Sequence, residues 1–216
     1  MNKDLIRKKT VENHLLVESP EDCHVCDHLL RHYGLAGQVK IIEEEGVENL
    51  LQSFKGEFLG SGKKRLGVVI DADQDFSGRW QSLRDILINA GYRTVPACPA
   101  PDGTVLQEDK RHTAGLWLMP DNQISGMLEN FLSFLVPSGD SLWTTAEEIV
   151  EQVMKQDCRF PRGHKSKAHI HTWLAWQKEP GKPLGLAITK RYLDPSAPTA
   201  QHFIGWIRRV FAFDSA

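Results

Sequence analysis

The segment from Leu66 to Trp80, LGVVIDADQDFSGRW, limits the fold of this chain more than any other stretch. Its first residues are apolar and rich in branched side chains, the signature of a short buried strand. The apolar run ends in acids at alternate positions: Asp71, Asp73 and Asp75. Carboxylates crowded this closely repel one another, so a cation is expected among them. The next residues, SGRWQSLRDILINAGY, have helical spacing, with Trp80, Leu83, Ile86 and Leu87 on the inner face.

The same alternation extends on both sides. NHLLVE reads as a buried strand ending at Glu18. In SPEDCHVCDHLLRHYG, Ser19 suits a helix cap, Pro20 the first turn, and Gly34 the stop. VKIIEEEG is a second strand, and VENLLQSFKGEFL a helix with Val47, Leu50, Leu51 and Phe54 inward. GSGKKRLG reads as a loop and lacks the spacing of a phosphate-binding P-loop. RTVPACP and TAGLWLMP read as two further strands, separated by a loop with Pro99, Pro101 and Gly103. ISGMLENFLSFLVP reads as a helix closed by Pro137. Strands alternating with helices predict an α/β fold with a mostly parallel, Rossmann-like sheet flanked by helices. From Ser138 onward TTAEEIVEQVMKQ, SKAHIHTWLAWQ, LGLAITKRYL and APTAQHFIGWIRRVF read as helices. They predict a domain over 1–137 and a helical C-terminal extension over 138–216, packed on one side of the sheet.

Length and charge narrow the function classes. The 216 residues, 41% hydrophobic and 25% charged, can bury a sizeable core without disulfide staples. A formal net charge of −2 argues against a protein wrapped in nucleic acid by bulk electrostatics, although a local basic patch would suffice. MNKDLIRKKT lacks an apolar signal core and no run has membrane-spanning length, so a cytoplasmic, reduced protein without membrane association is expected. CHVC has zinc-type spacing, but no second close pair follows it. Cys23 and Cys26 are expected in the core.

Three readings compete for the aspartates. A calcium loop starting at Asp71 fails, since its sixth and twelfth positions hold Phe76 and Ser82 instead of Gly and Glu. A phosphatase nucleophile stays open, because a strand followed by Asp-x-Asp resembles the haloacid dehalogenase-type phosphatases. Against it stand Asp75, where those enzymes carry Thr or Val, and the full strand–helix–strand–helix stretch before the motif. A magnesium site fits the geometry. Residues i and i+2 of an extended chain face the same way, so Asp71 and Asp73 can aim at one point beyond the strand end, where open α/β sheets place their ligands. Glu18, at the end of another strand, supplies a third acid.

LLVESPEDCHVCDHLL followed by LGVVIDADQD resembles the Toprim domain of topoisomerases, bacterial primases and OLD-type (overcoming lysogenisation defect) nucleases. That signature is a Glu ending the first strand and an Asp-x-Asp ending a later one. The resemblance spans about Asn13 to Pro137 and is closest to small stand-alone Toprim-like proteins of unknown function, whose later part resembles HKSKAHIHTWLAWQ. It implies metal-binding roles for Glu18, Asp22, Asp71, Asp73 and Glu129. Asp75 is either a further acid behind them or a solvated turn residue. Ser19 stands where many Toprim segments have Gly. Tyr33, Tyr92 and Tyr192 lie in ordinary contexts, and no template-binding zinc module is present, so neither a topoisomerase nor a primase is implied.

The implied chemistry is phosphodiester hydrolysis with two Mg2+ or Mn2+ ions, Asp71 and Asp73 on one, Glu18 and Asp22 on or sharing the second. Glu18 could alternatively act as general base. RFPRGHKSKAHIH places Lys165 and Lys167 where one could approach the scissile phosphate, although a solvated basic loop explains them equally. His169 and His171 point in different directions on a helix, and one is expected half-buried and hydrogen-bonded. Trp173 and Trp176 are expected to pack the extension against the sheet. The substrate would be DNA or RNA. With no Walker motif here, an ATPase partner would be a separate protein, and a homodimer could help hold the substrate. The alternatives are a non-catalytic nucleic-acid-binding or regulatory partner of such an ATPase, and an Asp-based phosphatase.

Overall fold

The computed structural model describes residues 12–60 and 64–213. The segment MNKDLIRKKT and the centre of the GSGKKRLG loop lie outside the described residues. The chain runs β1 (Glu12–Val17), α1 (Pro20–His32), β2 (Lys40–Glu43), α2 (Val47–Glu57), β3 (Lys64–Asp71), α3 (Phe76–Asn89), β4 (Thr104–Gln107), β5 (Thr113–Met119) and α4 (Leu128–Ser133). It continues through α5 (Ser141–Gln156), a 3-10 turn at Arg162–His164, α6 (Lys165–Ala175), α7 (Leu184–Thr189) and α8 (Pro198–Phe211). The α/β architecture expected from the alternating pattern is present: a five-stranded sheet in the order β2-β1-β3-β5-β4, parallel except for β4.

Strand order dictates the layers. The chain steps from β1 outward to β2, then back past β1 to β3. Right-handed crossovers make such a reversal place successive helices on opposite faces. Accordingly α1 packs on the face that receives Leu15, Val17, Val69, Trp117 and Met119. Leu50 and Phe54 of α2 and Trp80, Leu83 and Leu87 of α3 pack on the face of Leu66, Val68, Ile70, Leu116 and Leu118. The direction change leaves a crevice at the carboxyl ends of β1 and β3, where open α/β sheets take ligands.

The C-terminal helices complete the α1 face. Phe203, Ile204, Trp206, Ile207, Val210 and Phe211 of α8 are buried in one cluster with Trp117 of β5 and Ile170 and Trp173 of α6. At about 1.5–3 kcal/mol per buried large side chain, α8 alone contributes on the order of 10 kcal/mol, comparable with the net stability of a domain. It is therefore part of the core. Two glycines let it approach. A Cβ on Gly67 would meet Leu15 Cδ1 at 2.8 Å and Phe211 Cζ at 3.1 Å, and one on Gly115 would collide with Val210.

Several elements depart from the sequence reading. RTVPACP forms no strand. Pro96 and Pro99 lack N–H donors, the carbonyls of Pro96 and Ala97 accept from Arg84 Nε and Trp80 Nε1, and the Arg93 and Thr94 N–H groups donate to Glu108. The antiparallel edge strand is TVLQ, just past Gly103, inside the stretch read as a loop. β3 starts at Lys64, earlier than expected. The ISGMLENFLSFLVP helix is confined to Leu128–Ser133, since Gly126 bridges to Asp73 instead. Trp173 is buried, whereas Trp176 is 40% exposed and packs no sheet. Among the described residues no helix is long and apolar enough to cross a membrane.

The Gly115 contact yields a measurable expectation. Gly115→Ala should destabilise the protein by about 1–3 kcal/mol in urea unfolding, the usual cost of overpacking. In a double-mutant cycle with Val210→Ala the two losses should sum to less than additively, because the smaller residue removes the collision.

Candidate functional site

Four elements bring acids to the crevice. Val17 of β1 lies opposite Val69 of β3, so the next residues, Glu18 and Ile70, are side by side, with Asp71 one step further. Both strands end there. Ser19 caps α1 by accepting from the Asp22 N–H, and its hydroxyl donates to Asp22 Oδ2 at 2.6 Å. This cap places Asp22 in the first turn, beside Glu18. Glu129 sits in the first turn of α4, and the neighbouring Leu128 N–H donates to Asp71 Oδ1 at 2.9 Å. From α6, Lys167 Nζ lies 3.4 Å from Glu129 Oε1.

The cluster is deep and electrically uncompensated. Asp22 is 3% exposed and Glu129 4%. Burial, reinforced by the charges of Glu18 and Glu129, raises the Asp22 carboxyl to about 7 against the opposing hydrogen bond from Ser19. Burial also drives Asp71 well above the usual carboxylate range, with Asp22, Glu18, Glu129 and Asp73 adding to the shift. Glu18 is raised by burial and by Asp73, partly offset by the Asp71 backbone, Arg79 and Lys167. Burial works against the charge of Lys167, yet Glu129, Glu21 and Asp71 hold its pKa above that of an ordinary lysine. Five carboxylates thus face two cations, Lys167 and Arg79.

The remaining candidates fall in different places. Extended geometry stops before Asp73, which has a φ of 50°, so the same-face rule for i and i+2 does not carry from Asp71 to Asp73. The Asp73 N–H donates to the Gly126 carbonyl, and its carboxylate takes Arg79 Nη2 at 3.0 Å. Asp75 caps α3 by accepting from the Gly78 N–H, which is the turn role. Lys165 pairs with Glu151 rather than with the acid cluster. His169 is half-buried, and its Nε2 has no hydrogen-bond partner, contrary to the expectation of a satisfied ring. Cys26 is buried in the core, with Cys23 packed against it.

Two observations bear on whether the donor set suits a divalent cation. Glu18 Oε2 is buried with no hydrogen-bond partner, an orphaned carboxyl oxygen within the cluster. An all-carboxylate set is also the ligand chemistry that Mg2+ and Mn2+ prefer. Among the described residues, however, no three His, Cys, Asp or Glu side chains stand arranged to hold a metal ion. The orientations have a local cause. Ser19 holds Asp22, Leu128 N–H holds Asp71, Arg79 holds Asp73 and Lys167 holds Glu129. The chemistry of the residues fits a cation that competes with these partners. Sequence reasoning missed Arg79, whose Nε also donates to the Asp71 carbonyl at 2.9 Å. Its position one turn past Asp75, at the start of a helix entering from the acid loop, was the available signal.

A family model described as a protein of unknown function (DUF3226) matches residues 12–212. No curated protein and no solved structure matches the sequence. The matched range takes in every described strand and helix, and the chain belongs to the DUF3226 family.

Proposed function

We propose that this protein is a divalent-metal-dependent phosphodiesterase of Toprim-like type, acting on DNA or RNA. The observation that supports the reading most is the cluster of buried Asp22 and Glu129 with half-buried Glu18 and Asp71 at the ends of adjacent parallel strands, with an orphaned oxygen on Glu18. Burying several like charges costs several kcal/mol each unless a counter-charge or proton joins them. A fold that gathers them from four elements has a use for the cation they attract.

In this reading Glu18, Asp22, Asp71 and Glu129 hold Mg2+ or Mn2+. A divalent ion there supplies Lewis acidity at phosphorus and acidifies a water. Lys167, released from Glu129, offsets the charge that develops on the phosphate. Alternatively, Glu18, with its raised pKa, would leave the ion to Asp22, Asp71 and Glu129 and itself accept the proton of the attacking water. Arg79 holds the Asp71–Asp73 turn in shape from behind. An ATPase, if the reaction needs one, is a separate chain.

The engaged state of Asp22, Asp71, Asp73 and Glu129 favours a second reading, a non-catalytic nucleic-acid-binding partner that keeps the acids for architecture alone. Plasmid nicking and oligoribonucleotide cleavage in Mn2+ separate the two. The wild type should cut, and Asp71→Asn should lose at least the roughly 100-fold that even an indirect metal partner can cost. Equal activity in the two proteins would sink the catalytic reading, and phosphate release from monoesters without strand cleavage would replace it with a phosphatase.

Proton linkage gives an independent check. Native Asp22, at about 7, keeps a proton that an unfolded Asp releases near 3.9. The native state therefore binds more protons between about pH 4 and pH 7, and stability falls as pH rises through that window. One such group gives a slope of at most about 1.4 kcal/mol per pH unit. Calorimetry in chelator should show the melting temperature dropping from pH 5 to pH 7, with Asp22→Asn flattening the drop. Added Mn2+ should stabilise more strongly as pH rises, because it displaces those protons.

A further inference from the structure

Beside the acid cluster lies a cleft of about 950 Å³ that no step of the proposed reaction uses. Its walls are the turn from Asp73 to Asp75, the stretch from Ser125 to Asn130, and the segment from Pro161 to His169. Each wall runs directly into the acid centre. Asp73 follows Asp71 by two residues, Met127 and Asn130 flank Glu129, and Lys165 and Ser166 precede Lys167. The acids themselves do not line the cleft, but each of its walls is within a few residues of one of them or of Lys167.

We propose that this cleft binds one or two nucleotides of single-stranded nucleic acid next to the scissile phosphate, so that the substrate is a single strand or a strand end and not an intact duplex. The proposal rests on the phosphodiesterase reading and names its substrate class. Size is the first argument. The volume lies at the upper end of the roughly 300–1,000 Å³ of small-ligand sites. It corresponds to a space about 10 Å on edge, narrower than the roughly 12 Å major groove of a duplex alone.

Charge is the second argument. One wall carries Asp75 and Asp73, the latter paired with Arg79; the facing segment carries exposed Arg162 and His164, beside Lys165, which is paired with Glu151. A phosphodiester backbone is repelled by the first wall and attracted by the second. It lies along the start of α6, with its bases toward Met127 and the carboxamides of Gln74 and Asn130. The third argument is His169. Its half-buried ring lines this cleft and can stack a base.

Fluorescence anisotropy tests the proposal on the full chain carrying Asp71→Asn, which blocks cleavage, in Mg2+. The probes are a labelled single strand of about twelve nucleotides, as DNA and as RNA, and the matching blunt duplex. The single strand should bind about tenfold tighter than the duplex. Ser166→Trp, which fills the cleft, should weaken single-strand binding about tenfold, the worth of one stacked base or more. His164→Glu should weaken it in the same direction by repelling phosphate. Should Ser166→Trp fail to fold, the substitution at exposed His164 decides. Equal affinity for duplex, or unchanged single-strand binding in the folded variants, overturns the proposal. Cleavage by the otherwise wild-type chain is scored separately. Cleft variants that bind and cut normally remove the cleft assignment and leave the nuclease. Single-strand binding that the variants lose, without cleavage by any protein, leaves the cleft and removes the nuclease.

Discussion

Repulsion among carboxylates at the joined ends of β1 and β3 is the constraint on which this molecule is built. Glu18 and Asp71 are brought close by strand register, since Val17 opposite Val69 sets Glu18 beside Ile70, one residue before Asp71. Asp22 and Glu129 are then added from the first turns of α1 and α4, both buried. In an ordinary core such a set would cost more than it returns. Here the cost is offset in parts: the raised proton affinity of Asp22 and Asp71, the Ser19 hydroxyl, one backbone N–H, Lys167 and Arg79. No part neutralises the whole, which is why Glu18 keeps an orphaned oxygen.

The C-terminal helices belong to that economy. α8 fills the sheet face beneath the crevice, with Trp206 against Trp117 and Phe203. α6 is anchored by buried Trp173 and Ile170, and the same helix carries Lys167 toward Glu129 and Lys165 toward the neighbouring cleft. The apolar side of α6 fixes the position of its polar side. The extension is thus the source of one cation of the site and one wall of the cleft, besides being a cover for the sheet.

The sequence disclosed what strands and caps disclose. Glu18 and Asp71 could be placed because each ends an apolar run, and a run that stops at an acid in an α/β chain stops at the sheet edge. Asp22 was singled out by its spacing four residues after Glu18, as the Toprim resemblance implies, and the Ser19 cap puts it in the first turn. What depended on a single backbone torsion stayed hidden: the φ of 50° at Asp73 breaks the alternation that would have aimed its carboxylate beside that of Asp71. RTVPACP had strand-like residues, but two prolines gave its carbonyls to Arg84 and Trp80, and the edge strand formed at TVLQ instead. Trp176 shared the apolar look of Trp173, yet it lies just past the end of α6 and remains 40% exposed. Arg79 gave only its position one turn past Asp75 as a signal, because its partners are the Asp71 backbone and a carboxylate turned by that same torsion.

Arg79 and Lys167 also explain how one arrangement can be stable and still poised for a ligand. Each is a cation tethered by its own helix, pairing with an acid at the margin of the cluster rather than at its centre. A side chain brought in by a neighbouring helix delivers one charge at a fixed radius. It cannot reach Glu18 Oε2, Asp22 and Asp71 together, as a small divalent ion can. The two basic residues therefore stabilise the fold without satisfying the centre. In the proposed reading, a cation of higher charge and smaller size would gain most at the point they leave open, and Lys167, displaced from Glu129, would then be free to meet a phosphate.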